Sequence, residues 1–297
     1  MWIAWFGGNI KITVKYLQLL RVRHWTKNIL IFFPAAFSGR IMEPYFLKRN
    51  ILGFFIFSAV SSMIYIYNDL QDMDKDRKHP KKKERPLASG KVAVQTAYGL
   101  IFAIGLSAGV FSLLCRIPVK YLIIYLGINI IYSRGGKDVP LLDVSILASG
   151  YILRLLFGGD LSGTGVSGWM FLTVMSAAFY LGFGKRRNEL RRFGAGGRKC
   201  LDAYSDAFLD NSFQMFTVLT IVFYSLTCMD RETYVAKCGA DFIWTVPVVM
   251  LICLRYNRLL DSGTSDGDPV DVVLKDRFLI GMIIFYIMSC AALLYGC

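Results

Sequence analysis

Histidine is nearly absent from this chain, with two in 297 residues, and the seven cysteines (Cys115, Cys200, Cys228, Cys238, Cys253, Cys290 and Cys297) form no C-x-x-C pair. No zinc site of ordinary ligand spacing and no dithiol redox motif follow from such a set; the cysteines read as small apolar packing residues. Acidic residues are also scarce, 21 Asp and Glu against 34 Lys and Arg. No internal repeat of useful period is present. The first residues lack the charged n-region and small-residue cleavage site of a signal peptide, so the chain is expected to be retained whole. Strict apolar and polar alternation is missing, which argues against a membrane-spanning barrel.

What the chain has is apolar length. Hydrophobic residues make up 55% and the mean hydropathy is +0.47, while the charges fall in blocks between apolar stretches. That is the pattern of a multi-span membrane protein. Nine stretches read as spans: Leu17 to Ser38, Ile51 to Asn68, Val92 to Leu114, Pro118 to Tyr132, Leu141 to Gly159, Trp169 to Gly184, Phe213 to Met229, Phe242 to Leu260 and Phe278 to Leu294. The expected fold is an all-α integral-membrane bundle of nine transmembrane helices, one domain over residues 1–297. With the N-terminus cytoplasmic, inside segments hold 26 of the 34 basic residues, outside loops hold seven, and Arg154 lies within a span. The excess of basic residues inside sets the expected topology, N-terminus in and C-terminus out. The net charge of +13 therefore points to lipid headgroups and anionic substrates rather than nucleic acid.

The second span ends in Asn68-Asp69-Leu70-Gln71-Asp72-Met73-Asp74-Lys75-Asp76-Arg77. At about 100° per residue, Asp69, Asp72 and Asp76 fall within roughly a 60° arc of one helical face and Asp74 points away. Carboxylates so placed repel unless a cation joins them, and magnesium characteristically links one or two carboxylates to substrate phosphates. Asn68 adds a neutral oxygen. A solvated helix end with its acids paired to nearby lysines is the plainer reading of a charge run. The membrane boundary, the i, i+3, i+7 spacing and the following Arg77, His79, Lys82 and Arg85 favour a magnesium and diphosphate site.

These residues carry a resemblance. Asn68-Asp69-x-x-Asp72-x-x-x-Asp76 resembles the first aspartate motif of the UbiA superfamily of intramembrane prenyltransferases. Its extension through Arg77-x-His79-Pro80-x-Lys82-x-x-Arg85-Pro86-x-Ala88-x-Gly90 is similar to the decaprenyl-phosphate phosphoribosyltransferase branch. The N-terminal Arg21-Val22-Arg23-His24-Trp25-Thr26-Lys27-Asn28 resembles the first-helix signature of that branch, with Val22 where a proline is usual. Arg23 and Lys27 share a helical face. They suit either an interfacial anchor or, at Lys27, a substrate contact.

In the second conserved loop Tyr132, Lys137 and Asp143 match, whereas Gly135-Gly136 and Asp138 depart from the pattern. Gly184-Lys185-Arg186-Arg187-Asn188-Glu189-Leu190 closes the sixth span and resembles a further family segment; Arg198, Leu201, Tyr204, Arg255-Tyr256 and Gly267-Asp268-Pro269 extend the match. Asp143, Gly150 and Arg154 keep to one face of the fifth helix. A charge near the bilayer centre costs about 2.5 to 3.5 kcal/mol on insertion scales, so Arg154 is expected to face a cavity and an anion or to form a structural ion pair.

The resemblance implies a transferase of a prokaryotic cell membrane, opening to the cytoplasm. Asp69, Asp72, Asp76 and Asn68 would bind magnesium, and Arg77, Lys82, Arg85 and Lys137 the phosphates. Lys27, Lys185, Arg186 and Arg154 would bind the lipid phosphate or the donor's 5-phosphate, and Tyr132 and Asp143 would orient the donor. The implied reaction moves 5-phosphoribose from phosphoribosyl diphosphate to a polyprenyl phosphate and feeds cell-wall synthesis in the best-known members. Prenyl transfer to an aromatic or glyceryl acceptor uses the same magnesium site, and an anion transporter also places charges in short spans. Membrane lipids are the expected surroundings, and assembly into a homo-oligomer stays open.

Overall fold

The structure, a computed structural model, describes residues 15–78, 82–194, 199–230, 239–262 and 268–296. Expectations resting on the residues before 15 and on His79, Pro80, Lys81, Arg198, Cys238, Gly267 and Cys297 lie outside them. Among the described residues regular structure is helical: α1 (Phe33–Phe37), α2 (Pro44–Gln71), α3 (Met73–Lys78), α4 (Val94–Leu114), α5 (Val119–Ser133), α6 (Leu142–Ser162), α7 (Gly168–Phe193), α8 (Asp206–Cys228), α9 (Val246–Asp261), α10 (Pro269–Lys275) and α11 (Arg277–Tyr295), with short 3₁₀ segments between them. Backbone contacts divide the chain into two compact units where the sequence suggests one domain: residues 1–29 with 51–133, and residues 30–50 with 134–297.

Polarity is distributed as a bilayer requires. Large apolar side chains such as Phe102 (72% exposed) and Met288 (64%) lie on the outside of α4 and α11, while Asn28, Asn50, Ser58, Ser62, Ser176 and Arg186 are completely buried. Lipid offers no hydrogen bonds, so polar groups must find partners within the protein. Among the described residues five segments are long and apolar enough to cross a membrane: Pro44–Gln71, Val94–Leu114, Leu142–Ser162, Phe242–Asp261 and Arg277–Tyr295.

The stretch expected as one span, Leu17 to Ser38, is not a single α-helix. Val22–Phe32 is a 3₁₀ helix of 11 residues, far longer than the usual three or four. Its hydrogen bonds to α2 explain the choice. Trp25 Nε1 donates to Ser62 Oγ (3.0 Å) and Asn28 Nδ2 to Ser58 Oγ (2.8 Å). Three 3₁₀ residues rise about 6 Å, as do four α-helical ones. The 25/28 and 58/62 pairs therefore stay in antiparallel register only if the first segment is wound tightly.

The second unit is built on α7 and α8, around Tyr180, Phe183, Leu209, Phe213, Tyr256 and Leu260. The helix of the expected sixth span does not stop at the basic segment; α7 runs on to Phe193. Its added turns are good helix formers whose charges are paired. Arg187 bonds Asp210 and lies 2.7 Å from Asp261, and Arg191 lies 2.9 Å from Asp210. α8 likewise starts before the expected Phe213, because Ser205 caps it through Phe208 N (3.1 Å).

Close packing needs glycine at position 158. A Cβ built on Gly158 of α6 would stand 2.0 Å from the carbonyl oxygen of Ile31. Gly158→Ala must push backbone aside, and overpacking of this kind costs about 1 to 3 kcal/mol. The melting temperature of the purified variant in detergent should fall accordingly; an unchanged value would contradict this contact.

Asp276 caps α11 through Leu279 N (2.7 Å) and pairs with Arg255 (2.7 Å). The Arg255 hydrogen bond, aided by the Leu279 amide, holds its carboxyl below the ordinary 3.8. A depressed folded-state pKa contributes stability above the unfolded value, and that contribution disappears as pH falls through the folded value. Asp276→Asn should lower the melting temperature at neutral pH, and the difference from the parent should close in buffers progressively more acidic than 3.8.

Candidate active site

Asn68 and Asp69 occupy the last turn of α2. The helix is interrupted at Asp72, yet Asp72 N bonds to Asn68 O (2.9 Å) and Asp76 N to Asp72 O (2.8 Å), which carries the helical repeat into α3. Asp69 and Asp76 are buried and Asp72 is half-buried. Asp74 turns outward, its side chain 86% exposed and 3.3 Å from Arg77, as the spacing predicts.

Arginines hold the two buried acids. Nη1 of Arg85 lies 3.1 Å from Asp69 Oδ1 and 2.6 Å from Asp76 Oδ2, and Nη2 of Arg21 lies 2.5 Å from Asp69 Oδ1. Arg85 follows the 3₁₀ turn Lys82–Glu84 in a loop closed by Val92 N to Pro86 O (3.0 Å). Arg21 has φ +50° and lies over the ring of Tyr65 (5.0 Å). A left-handed non-glycine residue costs about 1 to 3 kcal/mol and persists only where its surroundings enforce it. The ion pair and the ring supply that enforcement.

Beside these pairs is a cavity of about 300 Å³ lined by Gln18, Arg21, Asp69, Glu84, Arg85, Pro86 and Lys91. Three cations against two acids suit it to an anionic ligand. The sequence reading gave no site role to Arg21, Lys91 or Gln18, because no periodicity links residues 18–21 to residue 69. Arg77 is exposed and bonds Asp74, the Met73 sulfur and Ala88 O. Lys82 is exposed on its turn, and Lys27 and Tyr132 are half-buried.

A three-carboxylate cage is not formed: among the described residues no group of three His, Cys, Asp or Glu converges on a metal position. Magnesium asks for less, since one or two carboxylates completed by water and substrate oxygens suffice. Asp69, Asp72, Asp76 and Asn68 offer only hard oxygen donors. Ser133 Oγ bonds the side-chain oxygen of Asn68, orienting it while leaving the oxygen's second lone pair for a cation. The donor set fits the ion.

The second unit holds a different cluster. Arg186 and Asp143, both fully buried, form an ion pair through Arg186 Nε and Asp143 Oδ2. Arg186 Nη1 also meets Glu189 (2.6 Å), and Tyr204 donates its hydroxyl to Asp143 Oδ1 (2.9 Å). Burial pushes the Tyr204 phenol well above its ordinary pKa, so it remains a donor. The sequence reading put Arg186 on lipid phosphate and Asp143 on the donor. In the structure both are enclosed and bonded to protein partners. Lys185 lies 3.8 Å from Asp268. Arg154 is buried, bonds Gly150 O (2.7 Å) and lies near the Tyr151 ring. Lys137 is half-buried on the 3₁₀ turn Gly136–Asp138.

Residues 30–266 match the model of the UbiA prenyltransferase family. A decaprenyl-phosphate phosphoribosyltransferase of Mycobacterium tuberculosis is 29% identical over 272 residues, covering 89% of this chain and 88% of that protein. One from Corynebacterium glutamicum is 32% identical over 279 residues, covering 89% and 81%. The fold is similar to that of a UbiA homologue from Archaeoglobus fulgidus solved with GPP and Mg2+, with a TM-score of 0.68, 20% identity, and coverage of 94% of this chain and 99% of that one. With its buried polar groups, lipid-facing apolar helices and arginine-bound aspartates, this chain belongs to the UbiA prenyltransferase family and is an integral membrane transferase.

Proposed function

We propose that this transferase moves 5-phosphoribose from phosphoribosyl diphosphate to a polyprenyl phosphate and releases diphosphate. The observation that carries this reading is the buried Asp69 and Asp76 gripped by Arg85 and Arg21 beside a basic cavity. Relatives named decaprenyl-phosphate phosphoribosyltransferase, 29 and 32% identical, support the choice of donor.

In the reaction a lipid phosphate oxygen bonds to the anomeric carbon, and the bond from that carbon to the diphosphate oxygen breaks with its electron pair leaving on diphosphate. Arg21, Arg85 and Lys91 bind the donor's anionic groups and offset the charge that develops on the leaving group. Magnesium, held by Asp69, Asp72, Asp76 and Asn68, would supply further charge neutralisation there. The nucleophile is already an oxyanion and needs no strong general base, consistent with two histidines in the whole chain. Lys137, Lys185, Arg154 and Lys27 are assigned to substrate phosphates, with Tyr132 beside the donor.

The test is diphosphate release by the full chain in detergent or nanodiscs with a donor panel at fixed magnesium. Release from phosphoribosyl diphosphate only when polyprenyl phosphate is present is expected. Turnover of prenyl diphosphate with an aromatic or glyceryl acceptor, and none with phosphoribosyl diphosphate, would replace this reading by prenyl transfer. Nine spans with the site opening to the cytoplasm complete the proposal. Single cysteines at Lys82 and Arg192 should be labelled from the cytoplasmic side and one at Thr164 from the outside; labelling of all three from one side would break that topology.

A further inference from the structure

The loop that carries Lys137 is restrained unequally at its two ends. On one side is Gly135-Gly136, with Gly135 at φ +136°, a pair that tolerates many backbone conformations. On the other is Leu141, whose φ of +65° is unfavourable for a side chain of its size and which precedes α6 without a capping side chain. The Leu141 N–H donates to the hydroxyl of Tyr204 (2.6 Å), and the same hydroxyl donates to Asp143 Oδ1 in the first turn of α6 (2.9 Å). A phenol has one proton and two lone pairs, so both bonds form at once. The second oxygen of Asp143 bonds Arg186 Nε from α7, and the Tyr204 ring stacks on Phe208 at 5.7 Å.

From this geometry we propose that Tyr204 is a positioning residue for Lys137: its hydroxyl fixes the strained end of the 136–141 loop against Asp143 and so sets where the Lys137 ammonium meets substrate phosphate. The proposal rests on the assignment of Lys137 to a phosphate. Backbone bonds shape the turn itself, Asp138 N to Gly135 O (2.9 Å) and Asp143 N to Val139 O (3.2 Å), while the Tyr204 hydroxyl is a side-chain tie from the strained Leu141 to the buried ion pair. Asp143 and Arg186 hold the tyrosine in place.

The test uses the full chain in nanodiscs and compares the parent, Tyr204→Phe, Lys137→Met and the double variant by hydrogen exchange over residues 134–142 and by KM and kcat for both substrates. Tyr204→Phe should speed exchange in that segment and raise the KM for one substrate about tenfold with kcat within about threefold, the signature of lost ground-state and transition-state binding alike. The double variant should bind no worse than Lys137→Met alone, because residues acting through one contact are not additive. Full additivity, or an unchanged KM in Tyr204→Phe while Lys137→Met is impaired, would overturn the role of Tyr204 and leave the assignment of Lys137 standing. An unimpaired Lys137→Met would remove that assignment and the proposal with it. If Tyr204→Phe fails to fold, Leu141→Gly takes its place: glycine accepts φ +65° without strain and keeps every side chain of the cluster. It should retain the melting temperature but loosen the segment and raise KM severalfold, and an unchanged KM would overturn the proposal.

Discussion

Replacement of Asp72 by asparagine should reduce magnesium-dependent diphosphate release at least a hundredfold while leaving the protein folded. Removing one electrostatic contribution to a developing charge typically costs about 2.7 to 4 kcal/mol, a loss of a hundredfold or more in rate. Asp72 is the best member of the set to test. Asp69 and Asp76 are buried against Arg85 and Arg21, so neutralising either breaks an ion pair with a buried member and confuses stability with catalysis. Asp72 is half-buried at the interruption between α2 and α3, where a change of charge is borne more easily. Asp74→Asn is the control, since its carboxylate is exposed and turned to Arg77. It should retain most of the activity. Equal losses in the two variants would mean that the helical phase of the four acids does not select the ligands.

The largest loss of stability is expected at Arg186. Arg186→Gln leaves Asp143 charged, enclosed and deprived of the guanidinium on its Oδ2. Breaking a buried pair by removing one partner costs about 3 to 5 kcal/mol, a large share of the roughly 5 to 15 kcal/mol that holds a typical domain together. The variant should show a sharply lower melting temperature and poor recovery from the membrane. Asp143→Asn in the same chain should restore much of the loss, because the remaining amide keeps an acceptor for the Tyr204 hydroxyl without a buried charge. If Arg186→Gln melts like the parent and only substrate constants change, Arg186 binds substrate directly and the enclosed pair does not describe it.

Both predictions concern residues already visible as polar outliers in an apolar chain, and they show where reading along the chain succeeds. The interval of i, i+3, i+7 from Asp69 to Asp76 is a property of the α-helix, so the outward turn of Asp74 follows from spacing alone, as the structure bears out. The membrane character, the helical class and the UbiA family were likewise legible, since they depend on local hydrophobicity and on a contiguous string of residues. Helix ends were less so. The true limits of α2, α7 and α8 depend on caps and on charge pairs with distant partners, such as Arg187 with Asp210 and Asp261.

What the sequence by itself determined is therefore the set of groups that a helix or a short motif presents together: the acids at the end of α2, the basic turn after them, and apolar stretches of membrane length. Only the tertiary structure decided which cations meet those acids. It brought Arg21, 48 residues away, onto Asp69 and turned Arg77 to Asp74. It also enclosed Arg186 with Asp143, 43 residues apart. The physical reason is that local periodicity fixes direction about one helix axis, whereas the pairing of a buried charge is settled by whichever opposite charge the packing of separate helices delivers.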